Sequence, residues 1–494
     1  MIVITMLQRI RHHLVFLLFI LLPFHALLVT VGTKLLEGSG HPPHSLLALW
    51  KEVLMALIFL IAILELFQKD RKIIMGLMHG ERWKWRISLE RGIILALLII
   101  AFSISYKLSA ISFVYGFKYL FVPLIFFAVL ATLPWEENFP EKKLFPALLI
   151  VGGIISLYGI ITFFLPQGFF TLLGYSDAHS LYAPGSSLSA FQQISGTGIR
   201  RIQSTFSGPN QMGLWLLIPW SIALVEFLKS KVKAQKGKEQ EKRQKIFRIF
   251  AFCLLPFALF LTFSRSAWIA AFIITIVAIG MSVKGKQRVN ILAALFSVVV
   301  LVGVVTMVVA PALINRSISN RHHFERVRDG IITMIDHPLG LGLGSAGPAS
   351  NRTSDACVYF DEGSDISWAK DRSDLCLFVG NAQIQPSIDQ KACRCALLPE
   401  NWYVQVGIEL GIIGFVLFAS LIVIVARRLA MSDERLETVN MLTAHRLPLA
   451  AFLMFIGVSI AALFLHAWED SAVAYTVWGL TGISLGRRNT RIFE

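Results

Sequence analysis

The chain has 494 residues, of which 55% are hydrophobic and 16% charged, and its formal net charge is +15. Its mean hydropathy is +0.66, and its apolar runs of roughly 15 to 25 residues exclude a soluble globular protein, because such runs are long enough to cross a bilayer. The sequence therefore predicts an all-α polytopic membrane protein, in which the Lys and Arg excess first informs on topology.

The apolar runs predict twelve membrane spans. In chain order they cover residues 14–31, 46–67, 92–106, 113–131, 144–165, 209–228, 249–263, 267–283, 289–311, 401–426, 447–465 and 471–486. We predict a single integral membrane domain over residues 1–494, with a long outer loop, 312–399, inserted between the ninth and tenth spans. The first run lacks a good small-residue cleavage pattern, so we expect an uncleaved first span and not a signal peptide.

Lys and Arg concentrate in alternate loops. The basic segments are 9–11, 69–91, 229–248, 284–288, 427–446 and 487–491. By the positive-inside rule both termini are predicted to be cytoplasmic, in the cytoplasmic (inner) membrane, and the loops 166–208 and 312–399 to face outward. The hairpin 229–248 is expected to contact anionic membrane lipids, and no nucleic-acid partner is expected because no aromatic residues interleave its lysines.

Four of the five cysteines lie in the outer loop 312–399, and Cys253 lies alone within a span. This distribution indicates an oxidising exterior and two disulfides, with three connectivities possible. Zinc is the alternative, although the close pair is a C-x-C and not the usual C-x-x-C. We expect the loop to form a small lid; its cysteines are Cys357, Cys376, Cys393 and Cys395.

The stretch LTFSRSAW, residues 261–268, separates two apolar runs that are short for full spans, so its turn is expected to dip below the outer surface. An arginine at mid-membrane costs about 2.5 to 3.5 kcal/mol on insertion scales. Arg265 is therefore either a snorkelling interfacial arginine or a phosphate ligand. In the second case Ser264 and Ser266 would add hydroxyl donors to a guanidinium fork that matches phosphate oxygens.

The stretch RRIQSTFSGPNQMG, residues 200–213, precedes and opens the sixth span. Pro209 and Asn210 are ordinary helix-start residues. Arg200 and Arg201 add cationic groups on the outer side, at the depth predicted for Arg265 and against the usual bias that keeps arginine inside. We interpret this combination as functional.

The stretch PENWYVQVGIELGIIGF, residues 399–415, opens the tenth span. Asn401, Gln405 and Glu409 recur every four residues and so share one helix face. Glu409 would lie roughly 12 Å from the helix start, where a carboxylate is functional or paired. Glu400 is either an acid favoured by the helix dipole or a general base that faces the two arginines across a cavity.

These stretches resemble the O-antigen ligase and polymerase superfamily, membrane glycosyltransferases that use polyprenyl diphosphate carriers. The resemblance rests on an arginine before a Pro-Asn helix entry, the Ser-Arg-Ser turn, the long outer loop with DHPLGLGLGSAG at 336–347, and Asn401 followed after nine residues by Gly411 and Gly414. Where the family signature has a histidine, this chain has Glu400. A carboxylate can replace it chemically, with a lower ordinary pKa of about 4.3 against about 6.5.

The resemblance implies a GT-C-like fold and a metal-independent inverting transfer, without a cofactor, from a polyprenyl-diphosphate-linked glycan to an acceptor outside the membrane. It implies that Arg201, Arg265 and Arg200 bind the diphosphate and that Glu400 orients or deprotonates the acceptor hydroxyl. The implied supporting residues are Asn210, Ser264, Ser266, Asn401, Glu409 and His337.

Several alternatives stay open at this point. The acceptor is a lipid, as in lipopolysaccharide assembly, a growing glycan or a protein hydroxyl. A transporter or flippase for lipid-linked glycans is the alternative without chemistry, and the large one-sided lid argues against it. The alternative bases are His323, His337 and His466. Glu469 and Asp470, in the outer turn HAWED, are acids that we expect to face the same cavity.

Overall fold

The computed structural model describes residues 2–78, 88–105, 109–136, 139–176, 188–189, 192–194, 198–230, 253–283, 285–309, 317–360, 366–370, 375–380, 382–386, 393–434 and 446–490. Most of the basic hairpin 229–248, and the basic segments 79–87 and 435–445, lie outside the described residues. The cytoplasmic position of the termini therefore stays a prediction.

Helices make up most of the described chain. They are α1 (Ile2–Leu21), α2 (His25–Glu37), α3 (Ser45–Ala48), α4 (Trp50–Met78), α5 (Leu89–Ile104), α6 (Ala110–Leu130), α7 (Phe145–Phe164), α8 (Gln167–Leu172), α9 (Pro209–Ser230), α10 (253–261), α11 (Arg265–Ser282), α12 (Gly285–Val309), α13 (Ser317–Asp336), α14 (Gly347–Asn351), α15 (Ser367–Lys370), α16 (Trp402–Glu434), α17 (Arg446–Ala461) and α18 (Ser471–Thr490). A 3-10 turn, Leu22–Phe24, joins α1 to α2, and a π-helical turn, Pro140–Leu144, leads into α7.

Within the described part of the chain, seven helices are long and apolar enough to cross a membrane. They are Met6–Glu37, Ala110–Leu130, Pro140–Phe164, Pro209–Leu228, Arg265–Ser282, Gly285–Val308 and Trp402–Met431, and α17 is a shorter apolar helix. The protein is thus a mostly helical membrane protein, as predicted. Each of the twelve predicted spans overlaps a helix, whereas the count of twelve stays a prediction.

One large apolar core joins most of these helices. The helix α17 packs against α9, α11, α16 and α18, and α6 packs against α18. The fully buried side chains include Trp215, Phe126 and Trp478. In lipid such helices associate through close packing and internal polar contacts, because lipid tails are as apolar as the helix faces. The bundle therefore gives the ends of α9, α11 and α16 fixed relative positions.

A buried ion pair ties α1 to α4. Arg11 is fully buried, and its Nε donates to Glu65 Oε1 at 2.8 Å while its guanidinium carbon lies 4.2 Å from the centre of the Trp135 ring. A second donor of Arg11 reaches the Pro134 carbonyl at 2.7 Å. Arg9, two residues away on the other face of the helix, is exposed.

The outer loop contains helix α13 and a small sheet. Among the described residues the sheet has the strands β3 (Ala356–Phe360), β4 (Leu375–Val379) and β5 (Ala382–Gln385), with β3 parallel to β4 and β4 antiparallel to β5. A separate two-stranded ribbon joins β1 (Gln192–Gln193) and β2 (Arg200–Arg201). The sequence predicted neither the sheet nor α13, and the role of this loop as a lid stays a prediction.

The outer-loop cysteines form two disulfides. Cys357 pairs with Cys395, and Cys376 pairs with Cys393. Because Cys357 and Cys376 lie opposite each other on β3 and β4, the two bridges hold the segment 393–395 across the sheet. The disulfide prediction is confirmed and its connectivity is resolved.

Candidate functional site

The LTFSRSAW turn is a tight connection between α10 and α11. Phe263 has a φ of 49°, in the left-handed region that bulky residues rarely adopt, and Arg265 is the first residue of α11. Ser264 and Ser266 are buried, with their hydroxyl oxygens 3.4 Å apart, and Arg265 is half-buried. The turn therefore holds two hydroxyls and a guanidinium at a helix N-terminus, which has a positive partial charge and free N–H groups.

Arg201 lies against this turn. Its Nε donates to the Thr262 carbonyl at 2.9 Å, and one of its terminal nitrogens donates to Asn210 Oδ1 at 2.7 Å. The backbone supports the same contact, since the Ile202 N–H donates to the Leu261 carbonyl at 3.1 Å. The structure thus brings together Arg201, Asn210 and the turn that carries Arg265.

Arg200 has a different environment. Its guanidinium donates to the Leu165 carbonyl at the end of α7, at 2.6 Å. Successive residues of a strand point to opposite faces, which separates this side chain from that of Arg201. The role of Arg200 as a diphosphate ligand stays a prediction.

The start of α9 packs directly on the turn because Gly213 lacks a side chain. A Cβ at this position would lie 3.0 Å from Ala267 Cβ and 3.1 Å from Ser264 Cβ. Further along, Trp220 of α9 donates to the hydroxyl of Thr275 of α11 at 3.0 Å. The two helices therefore run parallel, and their N-termini, with Asn210 and Arg265, lie at one level.

Helix α17 places the tenth-span motif at the same level. Arg446, at the start of α17, contacts Glu226 near the end of α9 at 2.7 Å, so these two helices are antiparallel. At the other end of α17, the Ala462 carbonyl accepts from the Trp402 N–H at 2.9 Å. The N-terminal ends of α9, α11 and α16 therefore all lie at the end of the bundle where α17 finishes.

Glu400 lies just before α16 and contacts an arginine and a histidine of α13. Its carboxylate contacts the guanidinium of Arg326 and the Nδ1 of His323. Its own φ is 51°, an uncommon conformation for a residue with a side chain. A nearby guanidinium favours the ionised form of a carboxylate. The helix that covers the start of α16 thus supplies the partners of the predicted base.

Asn401 caps α16. Its Oδ1 accepts from the N–H groups of Tyr403 and Val404 at 3.0 and 3.1 Å, and its Nδ2 donates to the Leu463 carbonyl at 3.0 Å. This capping satisfies helix N–H groups and fixes the backbone next to Glu400. His337 is exposed at the end of α13, and its supporting role stays a prediction.

Glu409 holds the glycine-rich segment of the outer loop. It is buried, and its Oε1 accepts from the Gly344 N–H at 3.0 Å. Helix α16 is broken at Gly411, whose φ of 73° suits glycine. In a regular helix the Ile408 carbonyl would accept from Ile412, but here it accepts from the Leu341 N–H at 2.8 Å, while Ile412 donates to the Pro338 carbonyl at 3.0 Å.

The same segment continues inward against α5 and α6. The Glu409 carbonyl accepts from the Gly342 N–H at 3.0 Å, and the Leu343 N–H donates to Ser105 Oγ at 2.9 Å. The outer loop is therefore hydrogen-bonded to the bundle at the break in α16. This explains the deep carboxylate that the sequence showed at Glu409: it is paired with backbone N–H groups.

The turn between α17 and α18 contains three half-buried titratable groups. Burial lowers the pKa of His466 to about 3, with a smaller effect from Arg326, and its Nδ1 lies 2.7 Å from Gln405 Oε1. Burial, and then the charge of Glu409, raise the pKa of Glu469 well above its ordinary value. Burial also raises the pKa of Asp470. A neutral imidazole is therefore favoured here, and both carboxyl groups keep their protons to a higher pH than usual.

Metal-ligand chemistry has no support in the described part of the chain, where no group of three or more His, Cys, Asp or Glu residues is placed to hold a metal ion. The phosphate-binding chemistry available here is that of guanidinium and hydroxyl groups. Metal independence stays a prediction.

Residues 249–366 match the family model Wzy_C, described as O-antigen ligase. By this similarity, residues 249–366, which are 118 of the 494 residues, are an O-antigen ligase domain. The resemblance to the O-antigen ligase and polymerase superfamily is thereby confirmed. A search of curated proteins found no match. The O-antigen ligase domain contains Arg265, His323 and Arg326, and Arg201 and Glu400 lie on either side of it in the sequence.

Arg326 is the site residue of the O-antigen ligase domain that the sequence reasoning missed. A signal was present, because His323 and Arg326 are three residues apart and so share a face of any helix. The stretch HHFERVRDG was not recognised as helical, since it is too polar for a membrane span.

Proposed function

We propose that the protein is a membrane glycosyltransferase that moves a glycan from a polyprenyl diphosphate carrier to an acceptor hydroxyl on the outer side of the cytoplasmic membrane. The single observation that carries the proposal is the contact of Arg201 with the Thr262 carbonyl. Through this contact Arg201 lies against the turn of the O-antigen ligase domain that contains Arg265. Two guanidinium groups with two hydroxyls match the oxygens of a diphosphate.

In the proposed step the acceptor hydroxyl oxygen attacks the anomeric carbon of the first sugar. The bond from this carbon to the diphosphate oxygen breaks, and its electron pair stays on the diphosphate, where Arg201 and Arg265 stabilise the charge. The hydroxyl proton passes to the carboxylate of Glu400. The products are the glycoside, with inverted anomeric configuration, and the polyprenyl diphosphate.

The product identifies the function. Purified protein in lipid nanodiscs would receive a carrier-linked glycan labelled in its sugars, with a lipid, glycan or protein acceptor in separate reactions. A new glycosidic bond to one acceptor is expected, and that acceptor separates ligase, polymerase and protein O-oligosaccharyltransferase. Transfer of label across a vesicle membrane without a new covalent bond would instead identify a transporter or flippase.

The two arginines give a sharper test with a matched control. Arg201→Ala and Arg265→Ala should each lower kcat/KM by roughly 100-fold or more, as for the loss of one charge-stabilising donor at a transition state. Arg200→Ala should cost less, because its guanidinium contacts Leu165 on the other face of the same short strand. Full activity of both Arg201→Ala and Arg265→Ala, in protein that still reaches the membrane, would remove the diphosphate assignment.

A further inference from the structure

The lid sheet has two unlike faces. Ala356, Val358 and Phe360 of β3 pack with Leu375 and Leu377 of β4 around the buried Ala369. On a strand the intervening residues point to the opposite face. The opposite face therefore carries Cys357 and Tyr359 of β3 and their partners on β4.

The chain itself covers this second face at Cys357 and Cys376. The disulfides of Cys357 and Cys376 hold the segment 393–395 over it, and Arg394 exchanges two hydrogen bonds with Asp355, at 2.9 and 2.8 Å. Two residues further along the strands the register places Tyr359 opposite Phe378, and Phe378 opposite Gln383 of β5. Register partners share a face. Tyr359, Phe378 and Gln383 thus form one row across three strands, the aromatic row.

The aromatic row is partly exposed. The rings of Tyr359 and Phe378 stack with centroids 4.8 Å apart and planes 21° apart; Tyr359 is 60% exposed and Phe378 is half-buried. Gln383, at the end of the row, is exposed as well. Stacked rings next to a polar side chain can bind a small molecule that has both apolar and polar faces.

The sheet that carries the row is bonded to the segment that leads to Glu400. Cys395, which forms a disulfide with Cys357 of β3, precedes Glu400 by five residues. A lipid surface would favour rings flanked by further apolar side chains, whereas this row ends in an amide. Ring faces with an amide and a hydroxyl at their edges suit a molecule with apolar C–H faces and many hydroxyl groups.

We propose that Tyr359, Phe378 and Gln383 form a glycan-binding subsite of the lid, on which a pyranose ring stacks while its hydroxyls bond to the Gln383 amide and the Tyr359 hydroxyl. This subsite deepens the proposed function, on which it rests for its substrate. It would hold the sugars next to Glu400, and either the donor glycan or a glycan acceptor supplies the ring.

A binding experiment on the full chain in nanodiscs tests the subsite. The probe is the free oligosaccharide released by mild acid from carrier-linked glycans of the source cells, observed by saturation-transfer NMR. Wild type should bind it, and Tyr359→Ala, Phe378→Ala and Gln383→Ala should each weaken binding by roughly fivefold to tenfold. Tyr359→Phe keeps the stacked ring and should retain most of the affinity.

Two control variants separate this subsite from the diphosphate site and from general damage. Arg265→Ala should still bind the free oligosaccharide, because the probe has no diphosphate. Ile335→Ala truncates a side chain of α13 that is 61% exposed, like Tyr359, and should bind normally. In the transfer reaction, Tyr359→Ala should raise KM for the carrier-linked donor if the ring belongs to the donor, and for the acceptor if it belongs to a glycan acceptor.

The subsite is overturned if wild type does not bind the free oligosaccharide, or if Tyr359→Ala binds it as wild type does. The subsite is also overturned if wild type binds lipid vesicles and Tyr359→Ala does not, while both proteins bind the oligosaccharide equally. That result would assign the row to the membrane surface. These outcomes leave the proposed transferase function to its own product assay. If wild type binds the free oligosaccharide but forms no glycosidic bond in the product assay, the transferase function is rejected and a glycan-binding lid remains.

Discussion

Glu400 combines an uncommon backbone conformation with an arginine and a histidine partner from another segment. A non-glycine residue with a φ of 51° persists only where its surroundings enforce it, and such positions concentrate at functional sites. Here Asn401 caps the following helix, and His323 and Arg326 hold the carboxylate from α13. The imidazole that the family signature would lead one to expect at position 400 is present nearby, on a different element.

The pH dependence of transfer should distinguish Glu400 from His323 as the base. Glu400→Gln is expected to lower kcat by about 100-fold to 10,000-fold, the usual contribution of a general base. His323→Asn should retain most of kcat, with the acidic fall of kcat/KM moved to higher pH, because the carboxylate loses a partner that favours its ionised form. Steady-state kinetics between pH 4 and pH 9 measure both effects.

The opposite order of effects would assign the base to His323. In that case Glu400 would orient the imidazole through Nδ1, as carboxylates do in other imidazole–carboxylate pairs. If kcat and its pH dependence are unchanged in both variants, neither Glu400 nor His323 is the base.

At the scale of elements, the break in α16 joins the outer loop to the bundle. Hydrogen bonds that a continuous helix would make internally are made to residues 338–344, and the side chain of Glu409 adds one more. Helix α13 immediately precedes this segment, so its position over Glu400 depends on the same contacts. The glycine-rich stretch is therefore a docking segment and not a flexible linker.

Glu409→Ala should release this segment, whereas Glu409→Gln should keep it, because an amide oxygen still accepts from Gly344. Loss of a buried hydrogen-bond partner costs about 1 to 3 kcal/mol. We expect faster amide exchange at residues 340–344 and reduced transfer in the alanine variant, with the glutamine variant close to wild type. Equal exchange in all three proteins would show that the carboxylate does not hold the loop.

At the scale of the whole molecule, the buried pair of Arg11 and Glu65 links the first helix to α4. Removing one partner of such a pair leaves the other charge buried, at a cost of roughly 3 to 5 kcal/mol. Arg11→Ala should therefore lower the stability of the membrane-embedded protein, measured by its thermal or denaturant midpoint in nanodiscs. Arg9→Ala is the matched control and should change stability by less than about 0.5 kcal/mol, because Arg9 is exposed.

The sequence predicted what apolar periodicity and local chemistry determine. The helical membrane fold, the disulfides of the outer loop, and the positions of Pro209, Arg265 and Asn401 at helix starts follow from run length, charge and motif spacing. The break at Gly411 and the partners of Glu400 and Glu409 were not predictable in this way. They arise from contacts between segments about 70 residues apart, such as Gly344 with Glu409, which leave no local pattern.

The break in α16 also has a consequence for biogenesis. Carbonyls left unsatisfied in hydrocarbon cost several kcal/mol each, so a helix interrupted at Gly411 is a poor substrate for insertion by itself. Residues 338–344 are synthesised before α16 and supply the missing donors from outside. Helix α16 can therefore reach its final form only after residues 338–344 have docked against it, which makes this docking a checkpoint in assembly.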